Sequence, residues 1–151
     1  MKQASLSTPF GDLLLTEEDG AITALGWGQA ARQERSDVLD TALAQLSEYA
    51  QGKRQRFDLP LRVAGSDFQR AVCDAIFAIP FGETRTYGEI ARDLGVPAQA
   101  VGGACGGNPI PIIIPCHRVM GAKGLTGFSG AGGVETKVAL LCHEGAAGLL
   151  I

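Results

Sequence analysis

The pattern of apolar and polar residues predicts a β-hairpin near the start of the chain. Two apolar runs lie within Phe10–Trp27, and the polar residues between them include Asp19-Gly20. Asp-Gly between two apolar runs is a strong signal for a tight hairpin turn, because both residues tolerate the positive φ angles that such a turn requires.

A helix is predicted next, because apolar residues recur at helical spacing from Asp37 to Tyr49 and Gly52 follows as a stop. The segment Phe57–Leu61 is then predicted to be short and extended. Together these elements indicate a small N-terminal α/β domain over residues 1–63, which carries no obvious chemistry.

The second half of the chain, predicted as a domain over residues 66–151, has a mostly helical pattern. Ser66–Gln69 has the spacing of a capping box, and the apolar stripe that follows predicts a helix ending before Pro80. Another capping box, Thr86–Glu89, opens a short helix, and Gln99–Gly106 predicts a further one. Two short helices joined by a Gly-containing turn are typical of a helix-turn-helix, although a corner between two core helices has the same pattern.

The remaining chain alternates irregular and helical segments. Prolines exclude a helix over Asn108–Pro115, and its isoleucines favour a buried extended path that ends at Cys116. The glycine-rich stretch Gly121–Gly133 predicts a loop, and Thr136–His143 predicts a final helix.

Cys116 is the candidate nucleophile, because a reactive thiol needs a proton acceptor and a group that orients the acceptor. His117 and Glu144 are the candidates for these two roles. In an extended segment neighbouring side chains point to opposite faces, so His117 is expected to reach the sulfur through a water or a local kink. The alternatives are that His143 is the partner, or that Cys116 is a small buried apolar residue. The other cysteines are interpreted in that second way: Cys73, Cys105 and Cys142.

The 151 residues are 46% hydrophobic and contain no apolar run long enough to span a bilayer. The first residues lack the apolar stretch of a secretion signal, so a cytoplasmic protein is expected. In that reducing compartment the four cysteines are expected to be free thiols. With two histidines and no metal-type spacing, neither a metal nor a cofactor is expected, and the protein is expected to be a monomer.

The formal net charge of −3 argues against the broad basic surface on which sequence-independent DNA binding depends. DNA binding would therefore need a local concentration of positive charge. The candidates for that local charge are Arg85, Arg92, Arg118 and Lys123.

Two segments resemble a known family. Asn108–Val119, with Pro-Cys-His-Arg after an upstream Asn-Pro, is similar to the active-site signature of the O6-alkylguanine-DNA alkyltransferases, and Leu140–Gly145 is similar to their C-terminal motif. The resemblance runs from Phe68 to Gly145 and is weak before Phe68. It implies an α+β fold with a small N-terminal α/β domain and a mostly helical, winged-helix-like C-terminal domain that contains a helix-turn-helix.

The resemblance also implies a function in DNA repair. The helix-turn-helix holds double-stranded DNA, an alkylated guanine rotates out of the helix, and its alkyl group moves irreversibly to Cys116 in a single turnover. His117 would be the water-mediated base and Glu144 its orienting partner. Asn108 would brace the turn before the active site, and Tyr87 would help to rotate the nucleotide. Further substrate or DNA contacts are assigned to Gln99, Arg118, Val119, Phe128 and Ser129.

The chain departs from the family pattern in three places. Gln99 stands where an arginine usually fills the vacated base stack, after a turn that is shorter than usual. Phe128 stands where a tyrosine is common, and Ser129–Gly133 is longer than the commonest version.

Two other functions are compatible with the residues. The first is binding of alkylated DNA without chemistry, against which the presence of Cys116 argues. The second is a Cys-His-Glu hydrolase or acyl transferase that turns over repeatedly.

Overall fold

The computed structural model describes residues 1–121 and 133–146. The chain divides into two compact units, residues 1–64 and residues 65–151. Over the described residues the secondary structure combines one three-stranded antiparallel sheet with five α-helices, which makes the fold α+β, as the sequence predicts. Over the described residues, no helix is both long and apolar enough to cross a membrane.

The first unit is built on a three-stranded antiparallel sheet in the order β1-β2-β3. Its strands are β1 (Lys2–Thr8), β2 (Gly11–Glu18) and β3 (Ala21–Trp27). The predicted hairpin is confirmed, because β2 and β3 meet at Asp19-Gly20, where both residues have positive φ. The sequence prediction missed β1, since its residues are mostly polar and Ala4 is the only fully buried side chain of the strand.

Helix α1 (Asp37–Ala50) packs on this sheet and closes the core of the unit. Ser36 caps its first turn by accepting a hydrogen bond from the Leu39 amide. The buried side chains of the helix and of the strands form one apolar layer, whose largest members are Leu13, Leu15, Ile22, Leu39, Leu46 and Tyr49. The predicted extended segment makes only a single bridge with the sheet, from Leu61 to Ile22.

The side chain of Gln45, buried on α1, holds the chain that returns toward the sheet. Its Nε2 donates to the Asp58 carbonyl at 3.1 Å, and its Oε1 accepts from the Asp58 amide at 2.9 Å. Gln45→Ala is expected to lower the free energy of unfolding by about 1–2 kcal/mol, because two backbone groups lose their partners. Urea unfolding measures this difference. Exposed Gln51 is the control, and equal losses for Gln51→Ala and Gln45→Ala would contradict the role of the Asp58 contact.

In the part of the second unit that the structure describes there are four α-helices: α2 (Asp67–Phe77), α3 (Tyr87–Leu94), α4 (Ala98–Gly106) and α5 (Val134–Glu144). The capping box at the start of α3 is complete, since Thr86 and Glu89 each bond the backbone amide of the other. At α2 only half of the predicted box forms, because the Gln69 side chain donates to the Ala104 carbonyl of α4 at 2.8 Å instead.

Helices α3 and α4 pack against each other and are joined by only three residues, Gly95–Pro97. Gly95 has φ +67°, the left-handed conformation that ends a helix at little cost for glycine. The predicted pair of short helices is therefore present.

The proline-rich segment between α4 and Cys116 is buried, as predicted, but it is not extended. It folds into turns in which the amide of Ile113 bonds the Pro111 carbonyl and the amide of Ile114 bonds the Ile110 carbonyl. The backbone of Ile112 has φ +71°. A residue branched at Cβ adopts a positive φ only where its surroundings force it. The prediction of an extended path failed because proline excludes a regular helix but accommodates tight turns equally well.

Candidate active site around Cys116

Cys116 begins a short 3-10 helix, Cys116–Arg118, and its side chain is only 5% exposed. The sequence prediction of an extended path at this point is therefore wrong. In this helix the side chains of Cys116 and His117 are not held on opposite faces, as they would be in an extended strand. Burial raises the pKa of the Cys116 thiol, and a hydrogen bond from the Asn108 side chain partly opposes that rise.

His117 is fully buried and is oriented by Glu144. The His117 Nε2 atom lies 2.7 Å from Glu144 Oε2, as expected from the sequence. Burial alone would raise the pKa of Glu144, but hydrogen bonds from His117 and Arg118 outweigh burial and lower it to about 2. An ionised carboxylate can only accept hydrogen bonds, so the proton of the neutral imidazole lies on Nε2. Burial also lowers the pKa of His117, which keeps the ring neutral.

This tautomer leaves His117 Nδ1 as the proton-accepting nitrogen. Nδ1 is buried and has no hydrogen-bond partner among the residues that the structure describes. A buried nitrogen lone pair without a partner is unfavourable in a folded protein, so it points to a function or to an ordered water. The pairing of His117 with Glu144 thus leaves an accepting nitrogen on the residue that follows Cys116 in the chain.

Arg118 lies in the interior, unlike the accessible side chain that the predicted DNA contact requires. Its Nε and Nη2 donate to the two Glu144 oxygens at 2.8 Å and 3.0 Å, and its Nη1 donates to the Ile79 carbonyl at 2.6 Å. The guanidinium also lies 5.8 Å from the centre of the Phe81 ring. Arg118 therefore fixes and neutralises the carboxylate of Glu144 rather than adding positive charge to the surface.

Asn108 braces the buried turns that lead into Cys116. Its Nδ2 donates to the Ile114 carbonyl at 2.9 Å, and its Oδ1 accepts from the Ile110 amide at 3.0 Å. The Ile114 carbonyl also accepts from the Cys116 amide at 2.8 Å, so one side chain fixes both the turns and the start of the 3-10 helix.

Asn108→Ala is expected to lower the free energy of unfolding by about 2–3 kcal/mol, because it leaves a buried amide and a buried carbonyl with fewer partners. It should also raise the pKa of the Cys116 thiol, since the hydrogen bond that lowers this pKa is lost. Urea unfolding and the pH dependence of Cys116 alkylation by iodoacetamide measure the two effects. A variant with unchanged stability would refute the bracing role.

Lys137 is a site residue that the sequence interpretation missed. It is fully buried on α5, and its Nζ donates to the Val119 carbonyl at 2.7 Å. Burial lowers the pKa of Lys137, while the charges on Cys116 and Cys105 act to raise it. A signal was available in the sequence, because Lys137 shares one face of the helix with Leu140, Leu141 and Glu144 at the spacing of a buried stripe.

The remaining predicted site residues divide into two groups. Val119 is buried, and it pairs with Arg85 where the short parallel strands β4 (Arg85–Thr86) and β5 (Val119–Met120) meet. Tyr87 is the first residue of α3 and comes directly after β4. Because β4 pairs with β5, the backbone at Tyr87 is connected to the active-site segment. By contrast, Gln99 is exposed on α4. Phe128 and Ser129 lie outside the described residues.

The other cysteines are free thiols of two kinds. Burial raises the pKa of Cys73, and burial together with the nearby Cys116 raises the pKa of Cys105 to about 12. Both are therefore protonated at neutral pH, whereas Cys142 is only partly buried.

Within residues 1–121 and 133–146, no three His, Cys, Asp or Glu side chains are grouped closely enough to hold a metal ion.

Comparison with known proteins agrees with this geometry. The profile of the DNA binding domain of 6-O-methylguanine DNA methyltransferase matches residues 67–146, and the profile of its ribonuclease-like domain matches residues 1–63. The chain belongs to the O6-alkylguanine-DNA alkyltransferase family. Similarity to these alkyltransferases therefore extends over the first 63 residues as well, where the motifs in the sequence gave only a weak resemblance.

Individual alkyltransferases are similar over nearly the whole chain. The methylated-DNA–protein-cysteine methyltransferase of Mycobacterium bovis is 53% identical over 147 residues, covering 91% of this chain and 88% of the relative. That of Methanosarcina acetivorans is 39% identical, with 96% and 99% covered. A crystal structure of Mycobacterium tuberculosis OGT in complex with DNA superposes with a TM-score of 0.84 at 41% identity, covering 95% of this chain and 92% of that one.

Proposed function

We propose that this alkyltransferase repairs DNA by moving the alkyl group of an O6-alkylguanine onto the sulfur of its own Cys116. The observation that carries the proposal is the buried arrangement of Cys116, His117 and Glu144, in which an ionised carboxylate holds the imidazole with Nδ1 as its basic nitrogen. The names of the relatives and the DNA complex of the Mycobacterium tuberculosis protein support the same substrate.

His117 takes the thiol proton in this mechanism. Nδ1 accepts the proton through a water, and Glu144 stabilises the imidazolium that forms. Arg118 holds the Glu144 carboxylate through two hydrogen bonds, so Glu144 keeps its charge and its orientation throughout. Removal of the proton is needed because burial favours the neutral thiol, which is a poor nucleophile.

The thiolate then displaces guanine at the alkyl carbon. A sulfur–carbon bond forms, the bond between that carbon and O6 breaks, and the electron pair leaves with the guanine, which takes up a proton. The resulting thioether is neutral and has no hydrolysable bond, so no group in the site can regenerate the thiol. Each molecule of the protein therefore repairs one lesion.

DNA is bound through α3 and α4, acting as the helix-turn-helix. Gln99 is exposed near the start of α4 and enters the base stack, and Tyr87 at the start of α3 helps to rotate the nucleotide. By their match to the family pattern, we assign contacts with the guanine to Val119, Phe128 and Ser129. We assign the protein to the cytoplasm, where DNA and a reducing environment coincide, because all four cysteines are free thiols.

The proposal is tested by supplying a molar excess of duplex carrying one labelled O6-methylguanine and counting the methyl groups that each protein molecule retains. The expected plateau is one methyl per molecule, none for Cys116→Ser, and an unchanged plateau for Cys142→Ser, the matched control on α5. Continued release of methyl-containing product beyond one equivalent would show turnover and would refute a self-consuming transferase.

A further inference from the structure

Three buried thiols are brought together in the core of the second unit. Cys73 lies on α2, Cys105 on α4 and Cys116 on the 3-10 helix, and each of the three side chains is at most 6% exposed. Helix α2 packs on both α4 and the 3-10 helix, so the three elements that carry the thiols meet in one place. Alkyl transfer uses Cys116 alone, which leaves two neighbouring thiols without a role in that reaction.

Asn108 ties the backbone of Cys105 to the side chain of Cys116. The Asn108 amide donates to the Cys105 carbonyl at 3.2 Å, and the Asn108 side chain donates a hydrogen bond to the Cys116 sulfur. The same side chain bonds the Ile114 carbonyl and the Ile110 amide, which holds the intervening chain in tight turns. The chain therefore turns back after α4 and returns Cys116 toward Cys105.

The electrostatic effects among the thiols indicate that Cys105 is the close partner of Cys116. After burial, the charge of a Cys116 thiolate raises the pKa of Cys105 most, and the charge of Cys73 contributes less. Such an effect falls with distance, so the Cys105 sulfur is nearer to Cys116 than to Cys73. Cys73 is also held elsewhere, because Gln69 Nε2 lies 3.5 Å from its sulfur.

We propose that Cys105 and Cys116 are a redox modification site, at which hydrogen peroxide converts the two thiols into a reversible disulfide. A pair of neighbouring thiols, one of which has a base to activate it, is the arrangement of a reactive cysteine with its resolving cysteine. Cys116 is the reactive member, because His117 can take its proton, and Cys105 is the resolving member.

The oxidation proceeds in two steps. The Cys116 thiolate attacks one peroxide oxygen, a sulfur–oxygen bond forms, the oxygen–oxygen bond breaks, and the departing hydroxide takes a proton to become water. The Cys105 sulfur then attacks the sulfur of the Cys116 sulfenic acid. A disulfide forms, the sulfur–oxygen bond breaks, and the second hydroxide leaves as water with the proton of the Cys105 thiol. The two sulfurs are oxidised by two electrons in all, and the peroxide is reduced to two waters.

A reversible disulfide protects the thiol on which the protein depends. Without a resolving thiol, a sulfenic acid is oxidised further to sulfinic acid, which a dithiol such as dithiothreitol does not reverse. A disulfide stops this oxidation, and a dithiol restores both thiols by thiol–disulfide exchange. The oxidised protein should accept no methyl group, because the sulfur of Cys116 is no longer a nucleophile.

The test treats the full-length protein with hydrogen peroxide, blocks the remaining thiols with iodoacetamide in denaturant, and weighs the tryptic peptides. Cys105 and Cys116 share the peptide of residues 93–118, whereas Cys73 lies in that of residues 71–85. The expected product is the peptide 93–118 without iodoacetamide groups and lighter by two hydrogens than the reduced peptide. Dithiothreitol added before blocking should restore the reduced form.

Cys105→Ala removes the resolving thiol, and alanine suits the helix that carries it. In this variant peroxide should convert Cys116 to sulfinic acid, and dithiothreitol should recover no methyl transfer, whereas the unaltered protein recovers it in full. Cys73→Ala and Cys142→Ser are the matched controls and should recover as the unaltered protein does. Cys105→Ser serves in the same way if Cys105→Ala does not fold.

The unaltered protein alone can overturn the inference. A disulfide that links the peptides 71–85 and 93–118 would do so, and so would one between two molecules. Sulfinic acid on Cys116 beside a free Cys105, or a Cys116 that stays reduced in excess peroxide, would also overturn it. The disulfide forms without DNA, so the peptide masses give this answer even if the protein accepts no methyl from an O6-methylguanine duplex.

Discussion

Glu144→Gln is expected to slow methyl transfer by about 100-fold or more, because the base loses the carboxylate that orients it and stabilises its charged form. The free energy of unfolding should fall by about 3–5 kcal/mol, since the substitution leaves Arg118 buried without a counter-charge. The carboxylate accepts from His117 and twice from Arg118, so the substitution disturbs three hydrogen bonds at once.

Rapid mixing with an O6-methylguanine duplex measures the transfer rate, and urea unfolding measures the stability. Glu135→Gln is the matched control, because Glu135 lies exposed in the first turn of the same helix. If Glu144→Gln transferred methyl at the rate of the control, the assignment of His117 as the base would be untenable.

The stability effect of Glu144 has a defined pH dependence. Its pKa in the folded protein is about 2, below its ordinary value of 4.5, so the folded state favours the ionised form. The contribution of ionised Glu144 to the free energy of unfolding is therefore complete above pH 4.5. It is lost as the pH falls toward 2. The stability difference between the unaltered protein and Glu144→Gln should narrow over that interval.

The affinity for DNA is expected to depend only weakly on salt. A plot of log K against log salt should have a slope no steeper than about −3, so that raising salt from about 50 to 200 mM weakens binding about 60-fold at most. A protein that neutralises six to ten phosphates would lose about 1,000-fold to 100,000-fold over the same range.

The shallow slope follows from where the positive charges of the second unit lie. Arg118 and Lys137 are buried, and Arg85 is paired with Asp93 at 2.7 Å. Arg92 is exposed without an ion pair among the described residues, and Lys123 lies outside them. Few cations near α3 and α4 therefore remain to contact phosphates.

Fluorescence anisotropy with a labelled duplex at several salt concentrations measures this slope. Gln99→Arg should steepen it by about one and tighten binding, since one cation is added where α4 is exposed. A slope steeper than about −5 in the unaltered protein would mean that cations elsewhere, such as those in residues 53–56, contact the DNA.

Local signals in the sequence predicted much of the fold and the chemistry. Asp19-Gly20 placed the hairpin, and the capping box at Thr86 placed the start of α3. The pairing of His117 with Glu144 also followed from the motifs, because Pro-Cys-His-Arg and the C-terminal motif are specific signals.

The features that the sequence could not provide depend on tertiary contacts. A charged residue gives no sign of which partner it meets, so Arg118 was interpreted as a surface cation although Glu144 holds it inside. The same reasoning explains why Lys137 was missed. The turns after α4 depend on the Asn108 side chain, whose two hydrogen bonds reach residues two and six positions further along the chain.

The most direct test of the central claim is to locate the transferred methyl group. Trypsin cleaves after Arg92 and Arg118, which releases one peptide that contains both Cys105 and Cys116. After reaction with an O6-methylguanine duplex, fragment spectra of this peptide should place a single methyl on Cys116 and none on Cys105. A methyl on any other residue, or an unmodified Cys116 after the lesion has been repaired, would contradict the account.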